Sequence, residues 1–94
     1  MEFKDKDIEA FWNDPAGRIP KRVPSNLRKT LYRKLQMIEA AKDLNDLRVP
    51  PGNHLEKLVG DREGQHSIRV SSQWRICFRW TIRGAEGVEF SDYH

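Results

Sequence analysis

Arg69, Arg75, Tyr93 and His94 are the residue types that cleavage of a ribose–phosphate chain without a metal requires. In that reaction a base takes the proton of the 2′-OH. Cations stabilise the charge that gathers on the phosphate, and an acid protonates the departing 5′-oxygen. Histidine suits the proton transfers because its pKa lies near neutrality. Arginine meets a phosphate with paired hydrogen bonds and stays charged. Tyrosine stacks on a splayed base or orients a proton through its hydroxyl. Each type also occurs as ordinary surface: an arginine on an open sheet, a tyrosine capping a core, a histidine at a chain end. Placement decides between these readings.

Strand periodicity supplies the placement. Along residues 74–83, Trp74, Ile76, Phe78, Trp80 and Ile82 alternate with Arg75, Cys77, Arg79, Thr81 and Arg83. Residues 65–70 alternate as well, and Val88 to Tyr93 forms a further run. Ser71-Ser72-Gln73 and Gly84-Ala85-Glu86-Gly87 have the length of hairpin connections. The expectation is a three-stranded antiparallel meander with one apolar face. Its other face is open and carries Arg69, Arg75, Arg79, Glu89, Ser91 and Tyr93. His94, the last residue of the sequence, follows beyond the reach of the alternation.

Helices must cover the apolar face. Asp7 to Asn13 places Ile8, Phe11 and Trp12 at helical spacing, and Asp14-Pro15-Ala16-Gly17 ends that run. Phe3 belongs to a short start that suits an edge strand. A longer helix is expected from Ser25, as N-cap after Pro24, to about Lys42, with Leu27, Leu31, Leu35 and Ile38 on one side. Lys34 falls inside the apolar arc, which predicts a stem along the core edge and an ammonium in water. Pro50-Pro51-Gly52 predicts an irregular loop over residues 43–53. Helices before strands make the fold class α+β, in a single domain spanning residues 1–94.

Charge is uneven along the chain. The net charge is only +3, yet Arg18, Lys21, Arg22, Arg28, Lys29, Arg33 and Lys34 occur with no acid between them. Arg62, Arg69, Arg75, Arg79 and Arg83 accompany a single acid, Glu63. Such tracts attract polyanions, or else form solvated surface or a docking face for an acidic protein. The lone cysteine, Cys77, cannot form an internal disulfide, and no acid–histidine arrangement activates it as a nucleophile. His54, His66 and Cys77 lack metal-ligand spacing, so neither metal nor cofactor is expected. No stretch approaches the roughly 18 apolar residues of a membrane helix and no signal peptide is evident. The cytoplasm is therefore the expected location.

The run Gly60-Asp61-Arg62-Glu63-Gly64-Gln65-His66-Ser67-Ile68-Arg69-Val70, then Gln73-Trp74-Arg75-Ile76-Cys77-Phe78, then Asp92-Tyr93-His94, resembles the HigB branch of the RelE/ParE toxin superfamily. Leu44 to Asn53 is similar to that branch too. The resemblance implies a RelE-like fold, a small antiparallel sheet with two N-terminal helices packed on one face. It implies a toxin that cuts messenger RNA in the ribosomal A site without a metal. The implied partners are a helix-turn-helix, HigA-like antitoxin, the 70S ribosome and its mRNA, and operator DNA through the antitoxin complex; no membrane is involved. Arg75 would contact the scissile phosphate. His94 would be the acid/base, Tyr93 would stack or orient, and Asp92 would position. Arg69 would bind phosphate, with Arg62, Arg79, Lys29 and Arg33 as further phosphate contacts. Relatives that carry His-Pro-Leu-Lys before the glycine have a second proton-transfer set there. This chain has Glu56-Lys57-Leu58-Val59, with Glu56 at the histidine position and Val59 at the lysine position; Lys57 and His54 are nearby and substitute only through a bulge or a register shift. The alternatives are a ParE-like gyrase inhibitor, or a ribosome-binding relative with weakened catalysis.

Overall fold

In the computed structural model, which describes residues 1–92, the change from helical to strand periodicity is also the change from one layer to the next. Helix α1 spans Lys6–Asn13 and buries Ile8 and Phe11. Helix α2 spans Arg28–Ala40 and buries Leu31, Leu35 and Ile38. The helices meet through Tyr32, whose ring lies edge-on to Phe11 at 5.7 Å and tilted to Trp12 at 5.2 Å.

Both ends of α2 differ from the expectation. Ser25 opens a 3₁₀ turn, Ser25–Leu27, and its side chain caps nothing; Pro24 precedes that turn and the α-helix begins at Arg28. The helix stops at Ala40 because the next carboxylates compete for the backbone. Asp46 accepts from the N–H groups of Lys42 and Asp43 at 2.9 and 3.2 Å, and Asp43 accepts from Asn45 at 2.8 Å. Residues 43–53 are accordingly not featureless. They form 3₁₀ turns at Leu44–Arg48 and Pro51–Asn53, with Leu47 buried.

Asn53 closes this region. It is fully buried, and its amide donates to the carbonyls of Leu47 and Val49 at 3.2 and 3.4 Å. Its Oδ1 accepts from the Lys34 ammonium. Lys34 thus lies in the apolar arc of α2 to reach a buried acceptor, rather than to hold its ammonium in water. Burial, then the neighbouring Arg33, lowers its pKa below that of an ordinary lysine. Asn53→Ala strands the two carbonyls and the ammonium together. It should cost about 2–3 kcal/mol of stability, read as a lower urea midpoint with an unchanged slope.

The sheet has four strands rather than three, in the order β1 (Glu56–Lys57), β2 (His66–Arg69), β3 (Trp74–Thr81) and β4 (Gly84–Asp92), all antiparallel. The added strand is only two residues long, too short to show a period. Ile68, Ile76 and Phe90 are cross-strand neighbours, and Trp74 stacks on Phe90 at 4.5 Å. Phe3 makes a parallel bridge to Val88, so the expected edge strand is a single bridge.

The second hairpin turns earlier than expected. Thr81 pairs with Gly84, which leaves Ile82 and Arg83 at the tip, with Ile82 wholly exposed rather than on the apolar face. Gly87, at φ +63°, does not make the turn. It sits in a bulge where Gly87 and Val88 together oppose Phe78. The glycine pair in Gly84-Ala85-Glu86-Gly87 thus serves two separate irregularities.

Arg22 ties the N-terminal segment to the sheet. Its guanidinium bonds Asp5 at 2.6 Å, Asp7 at 2.8 Å and the Phe90 carbonyl at 3.0 Å. Its hydrogen bond to Asp7 holds that carboxyl below the usual range. Arg22 is therefore not a freely available charge of the basic tract.

Candidate active site

β3 alternation points Arg75 and Cys77 away from the helices, but the face they occupy is not open. Arg75 is 5% exposed, and Ser67, Cys77 and Glu89 are buried beside it. The reason lies in residues 54–62. β1 adds to the sheet edge, and the chain after it turns over the polar face. A cavity of about 310 Å³ remains, lined by Leu58, Val59, Arg62, Arg75, Cys77, Ser91 and Asp92.

Arg75 is held in a fixed orientation. Its Nε donates to Ser67 Oγ at 2.7 Å, and its Nη2 donates to the His54 carbonyl at 2.5 Å and the Ser67 carbonyl at 3.4 Å. His54 turns that carbonyl inward from a left-handed conformation, φ 43° and ψ 57°. Nη1 lies 3.8 Å from the Glu56 carboxylate. β1 register explains this contact: Glu56 pairs with Ser67, and paired residues share a face. Lys57 pairs with His66 and so points to the other face, away from Arg75. For His66, burial, followed by Lys57 and Arg48, lowers the pKa.

Arg62 approaches from the 3₁₀ turn Gly60–Arg62. It bonds Glu89, and its Nη2 lies 3.4 Å from Ser91 Oγ. Burial alone would raise the Glu89 carboxyl; the hydrogen bonds from Arg62 and Lys4 outweigh it and hold the group below the usual range. Glu89 is therefore an anionic anchor that keeps Arg62 at the cavity. Cys77 is the opposite case. Burial pushes its thiol up, so it lines the cavity as a neutral thiol rather than a nucleophile.

The cavity brings Arg62, Arg75 and Asp92 together. Asp92 closes β4 opposite Trp74 and accepts from Gln73 at 3.2 Å. Arg69 pairs with Arg75 across β2–β3 and lies beside the cavity, not in its lining. Arg79 stands exposed beyond the bulge, against Gly64, where a Cβ would come within 2.6 Å of its Nη1. Lys29 and Arg33 are on α2, on the helix side of the sheet. Tyr93 and His94 lie outside the described residues. Glu56 and Glu89 were missed as site residues. Glu56 was visible only as a departure from a motif, and Glu89 only as one of the polar residues of β4.

A sheet covered by helices on one face, with the Arg62 and Arg75 guanidiniums in a cavity on the other, makes this an α+β protein with a concave polar site. Residues 1–94 match, throughout, the family described as RelE-like toxin of type II toxin–antitoxin system HigB. The sequence is 41% identical over 93 residues to Toxin HigB-1 of Vibrio cholerae, covering 99% of this chain and 92% of that one. It is 35% identical over 92 residues to Endoribonuclease HigB of Proteus vulgaris, covering 98% and 96%. An uncharacterised Haemophilus influenzae protein is 42% identical over 78 residues, covering 83% and 75%. The chain belongs to the HigB family of RelE-like toxins, and its partner as such a toxin is an antitoxin. Among the described residues, no helix is long and apolar enough to cross a membrane.

Proposed function

We propose that the protein is a ribosome-dependent endoribonuclease that cuts messenger RNA in the A site, without a metal, and so stops translation. The observation that carries this reading is the oriented Arg75 guanidinium, with Arg62 beside it in the same cavity. The name of the Proteus vulgaris relative, Endoribonuclease HigB, supports the same chemistry.

In the proposed reaction Glu56 takes the proton of the ribose 2′-OH. The 2′-oxygen attacks phosphorus, and the bond from phosphorus to the 5′-oxygen breaks. Arg75 and Arg62 stabilise the extra charge on the non-bridging oxygens. His94 gives a proton to the 5′-oxygen, leaving a cyclic phosphate and a free 5′-hydroxyl. Tyr93 stacks on or orients the substrate and Asp92 positions the neighbouring groups. Arg69 and Arg79 hold flanking phosphates. This reading assigns Lys57 no role, since Lys57 pairs with His66 on the face away from Arg75.

A helix-turn-helix antitoxin that carries the complex to operator DNA completes the proposed system. Purified protein should cut an mRNA held on 70S ribosomes within the A-site codon and leave the same mRNA intact when free. Equal cutting of free mRNA rejects ribosome dependence. Inhibition of DNA supercoiling without RNA cleavage would replace the reading with gyrase poisoning, and ribosome binding without cleavage would leave only a binding module.

A further inference from the structure

A second concavity, of about 520 Å³, lies between α1, the turn after it and α2. Pro15, Ile19 and Tyr32 contribute apolar surface, while Arg28, Lys29 and Arg33 contribute charge. We infer that this groove is the docking site for an acidic, amphipathic segment of a protein partner, and that the partner is the antitoxin. The existence of an antitoxin follows from family membership; the location and chemistry of docking come from the groove.

The charges of the groove are unanswered within the chain. Among the described residues, no carboxylate comes within ion-pair distance of Arg28, Lys29 or Arg33. Arg22, only a few residues before them, is held by both Asp5 and Asp7. Arg28 goes further, because its Nε is buried and has no hydrogen-bond partner. A carboxylate arriving from a partner would pair with the Arg28 charge where it lines the groove; the buried Nε itself lies out of its reach. Ile19 is 44% exposed at the same groove, an apolar side chain placed to be covered.

These features together select a protein over a nucleic acid. A single strand of RNA binds cationic grooves by stacking bases on free aromatic faces. Here Tyr32 is engaged by Phe11 and Trp12, and Phe11 is buried. An apolar slot flanked by cations fits a helix or strand that sets one hydrophobic side chain against Ile19 and Tyr32. Aspartates or glutamates of the same segment then meet Arg28, Lys29 and Arg33. The groove lies on the helix side of the sheet, whereas the Arg75 cavity lies on the other side. Docking and RNA cleavage are therefore separable by mutation.

The test uses the full chain and the purified antitoxin encoded in the same operon. Ile19→Asp and Arg28→Glu should each weaken the complex by at least about tenfold, measured by calorimetry, and the wild-type affinity should fall with added salt. Urea unfolding of each variant identifies any loss of affinity that is only loss of fold; Ile19→Asp, at an exposed position, guards against this for Arg28→Glu. Cleavage of ribosome-bound mRNA in the absence of antitoxin should remain unchanged in both folded variants. Unaltered affinity in both overturns the inference. Lost cleavage with retained affinity also overturns it, and assigns the groove to RNA. If the wild-type protein proves to cut no RNA, the proposed function fails while the affinity measurements still decide the docking site.

Discussion

Arg75→Ala should lower mRNA cleavage on ribosomes by about 10²–10³-fold, the loss seen when one preorganised donor to a developing oxyanion is removed. The argument rests on orientation as much as on charge. Arg75 is anchored by Ser67 Oγ and by the carbonyls of Ser67 and His54, so its guanidinium is already aligned before substrate arrives. A flexible cation in the same cavity would have to be ordered during the reaction, which removes part of its benefit. Arg75→Lys separates the two contributions. It restores a charge but not the planar fork, and a lysine cannot satisfy Ser67 and His54 while also contacting a phosphate. Lysine should therefore recover only a small part of the activity. Because Arg75 is buried, the alanine variant also leaves the His54 carbonyl without its donor, at about 1–3 kcal/mol. Rates must consequently be compared at temperatures where urea unfolding shows both variants to be folded. Cleavage by folded Arg75→Ala at the wild-type rate would place the chemistry elsewhere.

The burial of Arg75 also marks where sequence reasoning stops. Its facing was legible, because Trp74, Ile76, Phe78 and Trp80 alternate with it along one strand. The helices were legible for the same kind of reason, since Ile8 and Phe11, and Leu31, Leu35 and Ile38, repeat at helical spacing and are the residues buried. What covers the polar face was not legible. Glu56-Lys57 is too short to carry a period, and its pairing with Ser67 and His66 spans an irregular connection, residues 58–65, that carries no short hairpin-turn signal. Without that strand the face reads as open, and Arg75 as a surface charge. Ile82 failed differently: its place in the alternation was clear, but the hairpin tip began one turn signal too soon. Lys34 was visible as an anomaly whose explanation, Asn53, comes from a segment that proline had marked as irregular. Of the candidate site residues, the pattern placed Arg75 on the face away from the helices, and the family resemblance singled out Asp92. Arg62 and Glu89 meet only because the 60–62 turn folds over β4.

The same fold-over makes Glu56 the second decisive residue. It stands where the resemblance to chains with His-Pro-Leu-Lys would place histidine, and it shares the polar face with Arg75, 3.8 Å from its guanidinium. Its side chain is 43% exposed, so it remains accessible to a ribose hydroxyl. Glu56→Gln keeps the shape and removes the proposed base, and should slow cleavage by about 10²–10⁴-fold. Stability should change little, because the Glu56 end of the pair is 43% exposed and the glutamine amide oxygen still offers the buried Arg75 an acceptor. A purely positioning role for Glu56, acting through Arg75, makes a different prediction: glutamine would still accept a hydrogen bond from the guanidinium, and activity would largely survive. Glu56→His completes the comparison. A histidine restores a base of the kind that relatives with the fuller motif carry, so cleavage should return, with a rate that rises with pH through about 6.5 as the imidazole loses its proton. A glutamine variant that cuts like the wild type, or a histidine variant without that rise, would remove Glu56 from the reaction and leave it as the counter-ion of Arg75.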